Sequence, residues 1–256
     1  MNADNKHKKG STADNDLLAL KPTGALARAT DGHVQVIGKG IICRTDYRPL
    51  KRSPLKIVVD ATDGFIPLWA ENLVLRWKFN EASFAVYQQP DALKARIRDL
   101  FSRAIAGWGD ATPVRFQEQA DNSDFDIVMR KADDCDMQGC VLAQGFFPDA
   151  GRHKLYVYPK MFGQTDKEQV ETLEHEIGHV FGLRHFFAPD QETEWPSEIF
   201  GKNRAFSIMN YGDESHLTKI DRSDLKKLYQ SAWSGQLTSI NGTPIKLVRP
   251  FHYLHG

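Results

Sequence analysis

Cysteine is scarce: three in 256 residues are too few for a disulfide-dense scaffold and one short of a four-cysteine zinc site. Charge of one sign is lacking as well, since 33 Lys+Arg balance 33 Asp+Glu for a formal net charge of +0. A nucleic-acid partner is therefore not expected, because phosphate binding needs a basic surface. No stretch approaches the ~18 continuous apolar residues of a membrane span, so no membrane partner is expected either. Residues 1–16 carry no apolar h-region of a secretory signal. The chain is expected to be soluble, and either intracellular or exported by a non-classical route. Internal repeats and low-complexity blocks are also missing. What is present is ordinary for a globular protein: 41% hydrophobic and 26% charged residues, which excludes wholesale disorder.

The length suits one domain of about 150–200 residues with extensions, or two small domains. Residues 1–16 are polar and read as a mobile tail. Residues 17–70 read as an N-terminal extension, pro-segment-like, with short β-like runs at 33–38 and 55–60. Patterns sharpen after about 71. Leu73, Leu75, Trp77 and Phe79 alternate, the period of a half-buried strand. Residues 114–116, 125–130 and 154–158 read as further strands. Leu93, Ile97, Leu100, Phe101, Ala104, Ile105 and Trp108 recur at a helical period, with Asp91 as the expected cap. A second helix is expected over 166–182. Thr165 and Glu168 stand at capping-box spacing, and Gly182 serves as its C′ glycine. A last helix is expected over 221–233, and 236–256 as a C-terminal extension. Strands mixed with long helices imply an α+β architecture with a sheet packed on helices.

The informative segment is His175-Glu176-Ile177-Gly178-His179-Val180-Phe181-Gly182-Leu183-Arg184-His185. His175 and His179 stand four apart, so both imidazoles project from one helix face towards a single cation. Neutral imidazole suits Zn²⁺. Glu176 adjoins them and is placed to act on water rather than on the metal. A turn at Gly182 lets the chain double back and deliver His185 as a third ligand. Three protein ligands leave a fourth position open, the layout of a catalytic zinc.

These eleven residues resemble the H-E-x-x-H-x-x-G-x-x-H signature of the metzincin metalloproteases. The segment Ser207-Ile208-Met209-Asn210-Tyr211 is similar to that clan's Met-turn, with Met209 as a soft floor beneath the metal. Tyr211, two residues on, is similar to the tyrosine of the astacin and serralysin branches. The resemblance implies that it reaches the zinc or the oxyanion. Residues 141–148 resemble the matrixin edge strand above the cleft, which makes Ala143 and Gln144 candidate substrate-binding residues. Gln144 stands where matrixins carry a histidine for a structural zinc, so no second zinc is expected. Phe186 departs from the residues typical of the named branches, and serralysin-type calcium repeats are missing from 231–256. The implied fold is zincin-like: a twisted, mostly parallel sheet with an antiparallel edge strand, two long helices including the one with H-E-x-x-H, and a C-terminal helix.

The implied activity is zinc-dependent endopeptidase action on a protein or peptide substrate by a monomer, with Glu176 as general base and Tyr211 stabilising the oxyanion. Two other readings compete: a zinc hydrolase of a non-peptide amide, and an inactive metzincin-like binding module. Other signals are open. Cys43, or an acid such as Asp46 or Asp60, is a candidate for blocking the metal; the alternative for Cys43 is a plain cysteine. Cys135 and Cys140 form a loop disulfide in an oxidising compartment or remain free thiols. The acidic runs 121–126 and 133–136 are candidate Ca²⁺ ligands or solvated loops.

Overall fold

The computed structural model describes residues 16–21, 35–37, 41–43, 57–61, 64–136, 139–185, 197–200, 208–209 and 215–255. Its strands in chain order are β1 (Gln35–Ile37), β2 (Ile41–Cys43), β3 (Ile57–Asp60), β4 (Ile66–Trp69), β5 (Val74–Phe79), β6 (Arg115–Glu118), β7 (Phe125–Met129) and β8 (Asp134–Cys135). They continue as β9 (Cys140–Val141), β10 (Ala143–Gln144), β11 (His153–Val157), β12 (Leu183–Arg184), β13 (Ser197–Phe200), β14 (Ser239–Ile240) and β15 (Thr243–Val248). The long helices are α1 (Pro90–Trp108), α2 (Asp166–Val180) and α3 (Lys219–Trp233).

The expected α+β architecture is what forms. The central sheet runs β10-β11-β7-β5-β6. Its β11–β7, β7–β5 and β5–β6 pairs are parallel, and the edge pair β10–β11 is antiparallel. Alternation decides which face is dry. In β5 the residues Leu75, Trp77 and Phe79 are buried, and in β7 Phe125, Ile127 and Met129. Against this face α1 lays Leu93, Ile97, Leu100, Phe101, Ala104 and Trp108. Phe101 meets Trp77 and Phe125 edge-on at 5.4 and 6.3 Å, and truncating a ring so placed costs ~3–5 kcal/mol.

The cap of α1 differs from expectation. Its N-cap is Gln89, which makes no side-chain capping bond, and Pro90 is the first helical residue. Proline there has its φ preset and its missing N–H would have been an orphan, so the helix starts one turn position before Asp91. Asp91 instead lies in the first turn, where its charge favours the helix dipole. The caps of α2 and α3 are capping boxes, Thr165–Glu168 and Thr218–Asp221.

Both outer segments pair with the rest. β4 is buried along its whole length and runs parallel to β15, with Trp69 opposite Val248. β3 lies antiparallel to β12 and to β13. β2 runs parallel to β9, with Ile42 opposite Val141. Cys135 and Cys140 are joined as a disulfide across the β8–β9 hairpin, which settles the choice left by the sequence. Most of the tail 1–16, Asp46 and Tyr211 fall outside the described residues, and so do the side chains of Cys43 and Asp60.

Candidate metal centre

Helix α2 begins at Thr165, whose side chain accepts from the Glu168 backbone while Glu168 reaches back to the Thr165 N–H. That start fixes the helix phase. Ten residues later the same helix buries His175, Glu176 and His179. It stops at Val180, and Gly182 takes a positive φ of 85°. The chain then reverses into β12 and brings in His185, which is buried beside the other two.

The three imidazoles converge. The Nε2 of His175 lies 3.1 Å from that of His185 and 3.2 Å from that of His179. Around a tetrahedral zinc with Zn–N near ~2.0–2.1 Å, ligand nitrogens stand about 3.3 Å apart. The opposite ring nitrogens fix the tautomers. Nδ1 of His175 lies 2.7 Å from the Ile208 carbonyl, and Nδ1 of His179 lies 2.7 Å from the Leu183 carbonyl. Carbonyls only accept, so both Nδ1 atoms carry the proton and both Nε2 lone pairs face inwards. Burial, and then the neighbouring His185, push His175 down to about 3 and His179 well below its usual range. Both rings are therefore neutral at physiological pH, the form that binds metal. The donor set and spacing fit zinc. Among the described residues, no second group of three metal-competent side chains gathers in this way.

Glu176 lies next to His175 and is buried. Its Oε2 accepts the backbone N–H of Gly145 at 2.6 Å, just past the edge strand β10. A Cβ at Gly145 would sit 2.8 Å from the Glu176 carbonyl, so this approach requires glycine. No sequence signal singled out Gly145, because its partner is 31 residues away. Ala143 is buried in β10 opposite Val157, and Gln144 is half-buried opposite Tyr156. The Phe147 ring stands edge-on to His179 at 5.4 Å.

Met209 is buried against α2, where a Cβ at Gly178 would come within 2.5 Å of its sulfur. The turn at 208–209 thus supplies both a packing floor and the Ile208 carbonyl that orients His175. The acidic runs have other work. Asp124 accepts from the Arg76 N–H and pairs with buried His252 at 2.8 Å. Asp133 accepts from the Lys160 N–H, and Asp136 from the Gly139 N–H. No Ca²⁺-ligating carboxylate group forms among the described residues.

Residues 76–193, which carry all three histidines and Glu176, match the family model of the matrixins. The macrophage metalloelastase of Rattus norvegicus is 31% identical over 123 residues, covering 43% of this chain and 26% of that protein. Stromelysin-3 of Homo sapiens is 28% identical over 123 residues, with 43% and 25% covered. Metalloendoproteinase 4-MMP of Arabidopsis thaliana is 30% identical over 140 residues, with 48% and 40% covered. The chain thus spans a quarter to two-fifths of the length of these relatives. These similarities support a metzincin. The leaning towards serralysins and astacins expected from Tyr211 finds no support in them.

Proposed function

We propose that this chain is a zinc-dependent endopeptidase that hydrolyses peptide bonds in extended protein or peptide substrates. The observation that carries the reading is the buried meeting of three imidazoles, with the His175 Nε2 3.1 Å from that of His185 and 3.2 Å from that of His179, and with Glu176 next to His175 in the same helix. Its matrixin similarity over 76–193 points the same way.

His175, His179 and His185 would hold the ion, which when bound supplies Lewis acidity towards a carbonyl and towards water. Glu176 is the general base: it takes the proton of the attacking water and passes it to the leaving amine. The Gly145 N–H holds one oxygen of that carboxylate, which limits it to one orientation during both transfers. Tyr211 is assigned the oxyanion donor by its two-residue step from Met209. A substrate strand is assigned to the edge at Ala143 and Gln144, where main-chain bonds recognise peptide backbone with little demand on sequence. The catalytic unit is read over 71–235, acting as a monomer. The Cys135–Cys140 disulfide favours an oxidising compartment.

The test is digestion of an unfolded protein by the purified chain, with N-terminal sequencing of the released peptides. Cleavage should cease with a metal chelator and return with added zinc. Cleavage indifferent to the chelator would reject the reading.

A further inference from the structure

The last carbonyls of a helix have no partner within it, and how they are satisfied sets the direction in which the chain leaves. At the end of α2 each can be followed. Ile177 and Gly178 accept from the Phe181 N–H, and His179 accepts from the Gly182 N–H at 2.8 Å. That leaves Val180 and Phe181, the two carbonyls at the turn towards His185. The Val180 carbonyl accepts from the indole Nε1–H of Trp69 at 2.7 Å. The Phe181 carbonyl accepts from the Tyr229 hydroxyl at 3.0 Å.

Both donors are fully buried, and the two residues touch each other: the backbone N–H of Trp69 donates to the Tyr229 hydroxyl at 3.4 Å. Burial pushes the Tyr229 phenol far above its usual range, so it remains a donor. The pair is itself held. Trp233 donates its indole N–H to the Trp69 carbonyl at 2.9 Å, and Ala70 donates to the Val248 carbonyl of β15. The turn is also pressed against β4, where a Cβ at Gly182 would lie 3.2 Å from the Pro67 carbonyl. Trp69 and Tyr229 both lie outside the matrixin-like segment 76–193.

We infer that Trp69 and Tyr229 are positioning residues for the metal centre: by holding the Val180 and Phe181 carbonyls they fix the turn that delivers His185 and presents the Leu183 carbonyl to His179. Loosening either donor lets the turn relax. The third imidazole and the carbonyl that orients the second then lose their fixed places together. Partners one step behind the ligands commonly account for roughly 10–100-fold in metal affinity. The two donors come from β4 and α3, 160 residues apart in the sequence and on either side of the matrixin-like segment, so the site is complete only when both flanks have folded onto that core.

This inference rests on reading His175, His179 and His185 as zinc ligands, and its test separates the two. Zinc affinity is measured by competition with a chelator of known affinity, and stability of the zinc-free protein by denaturant unfolding. The chains compared are the wild type, Tyr229→Phe, Trp69→Phe and Tyr87→Phe. Tyr87 is the control: it is equally buried and donates its hydroxyl to the Arg130 carbonyl at 2.5 Å rather than to a carbonyl of the turn. Tyr229→Phe and Trp69→Phe should each weaken zinc binding about tenfold or more, while Tyr87→Phe changes it less than about twofold despite a similar loss of stability. If Tyr229→Phe binds zinc as the wild type does, or if Tyr87→Phe weakens binding equally, the inference is wrong. Should Trp69→Phe fail to fold, Tyr229→Phe decides alone. A wild type that binds no zinc would instead overturn the reading of the histidines.

Discussion

The backbone N–H of Gly145 donates to the Glu176 carboxylate at 2.6 Å, so the edge of the sheet and the metal helix meet at one side chain. A methyl at residue 145 would press on the Glu176 backbone and push strand and helix apart. Gly145→Ala should keep its zinc but lose roughly 10–10² in turnover, since small misplacements of a reacting group are that costly. Turnover with zinc content measured on the same sample checks it. An unaltered rate constant would show that the contact does not orient the carboxylate.

Glu174 gives a pH dependence of opposite sense to the usual acid. Its carboxyl is buried beside Gly107, where a Cβ would overlap it, and Trp108 donates to its backbone carbonyl at 3.0 Å. Burial, and then the nearby Glu171, raise it to about 7. Between about 4.5 and about 7 the folded protein therefore binds more protons than the unfolded chain, and stability falls as pH rises through that window. Glu174→Gln removes this penalty. The variant should match the wild type near pH 4 and exceed it by on the order of 1–3 kcal/mol near pH 8. Denaturant unfolding at both pH values reads the difference. A variant less stable than the wild type at pH 8 would contradict it.

The Cys135–Cys140 disulfide closes a short loop, with a sequence separation of 5. Loop-closure entropy for so small a ring is worth about 2 kcal/mol. A Cys135→Ser, Cys140→Ser variant should lose no more than that in unfolding free energy while retaining zinc, because neither cysteine belongs to the group of three histidines. Loss of zinc from this variant would show that the hairpin supports the metal centre as well.

The metal helix was legible because its information is local. Thr165 and Glu168 are three apart, His175 and His179 four apart, and Gly182 follows within one turn, so helical period alone relates them. The same locality made β5 and the buried stripe of α1 readable. Local rules failed at the start of α1, where Asp91 is a good capping residue but Pro90 had already set the helix. What the sequence hid depends on distant pairing. Trp69 meets Val180 and Tyr229 meets Phe181 across separations of 111 and 48 residues, and no period marks either pair. β4 and β15, read from the sequence as parts of outer extensions, pair only once both ends of the chain have come together.

The most direct test of a zinc site served by a glutamate base is Glu176→Ala, assayed for metal and for cleavage on one preparation. The three histidines are untouched, so about one zinc per chain should remain, while hydrolysis of an unfolded protein substrate falls by at least ~10²–10⁴. A zinc-loaded variant that still cleaves at near the wild-type rate would contradict the role given to Glu176.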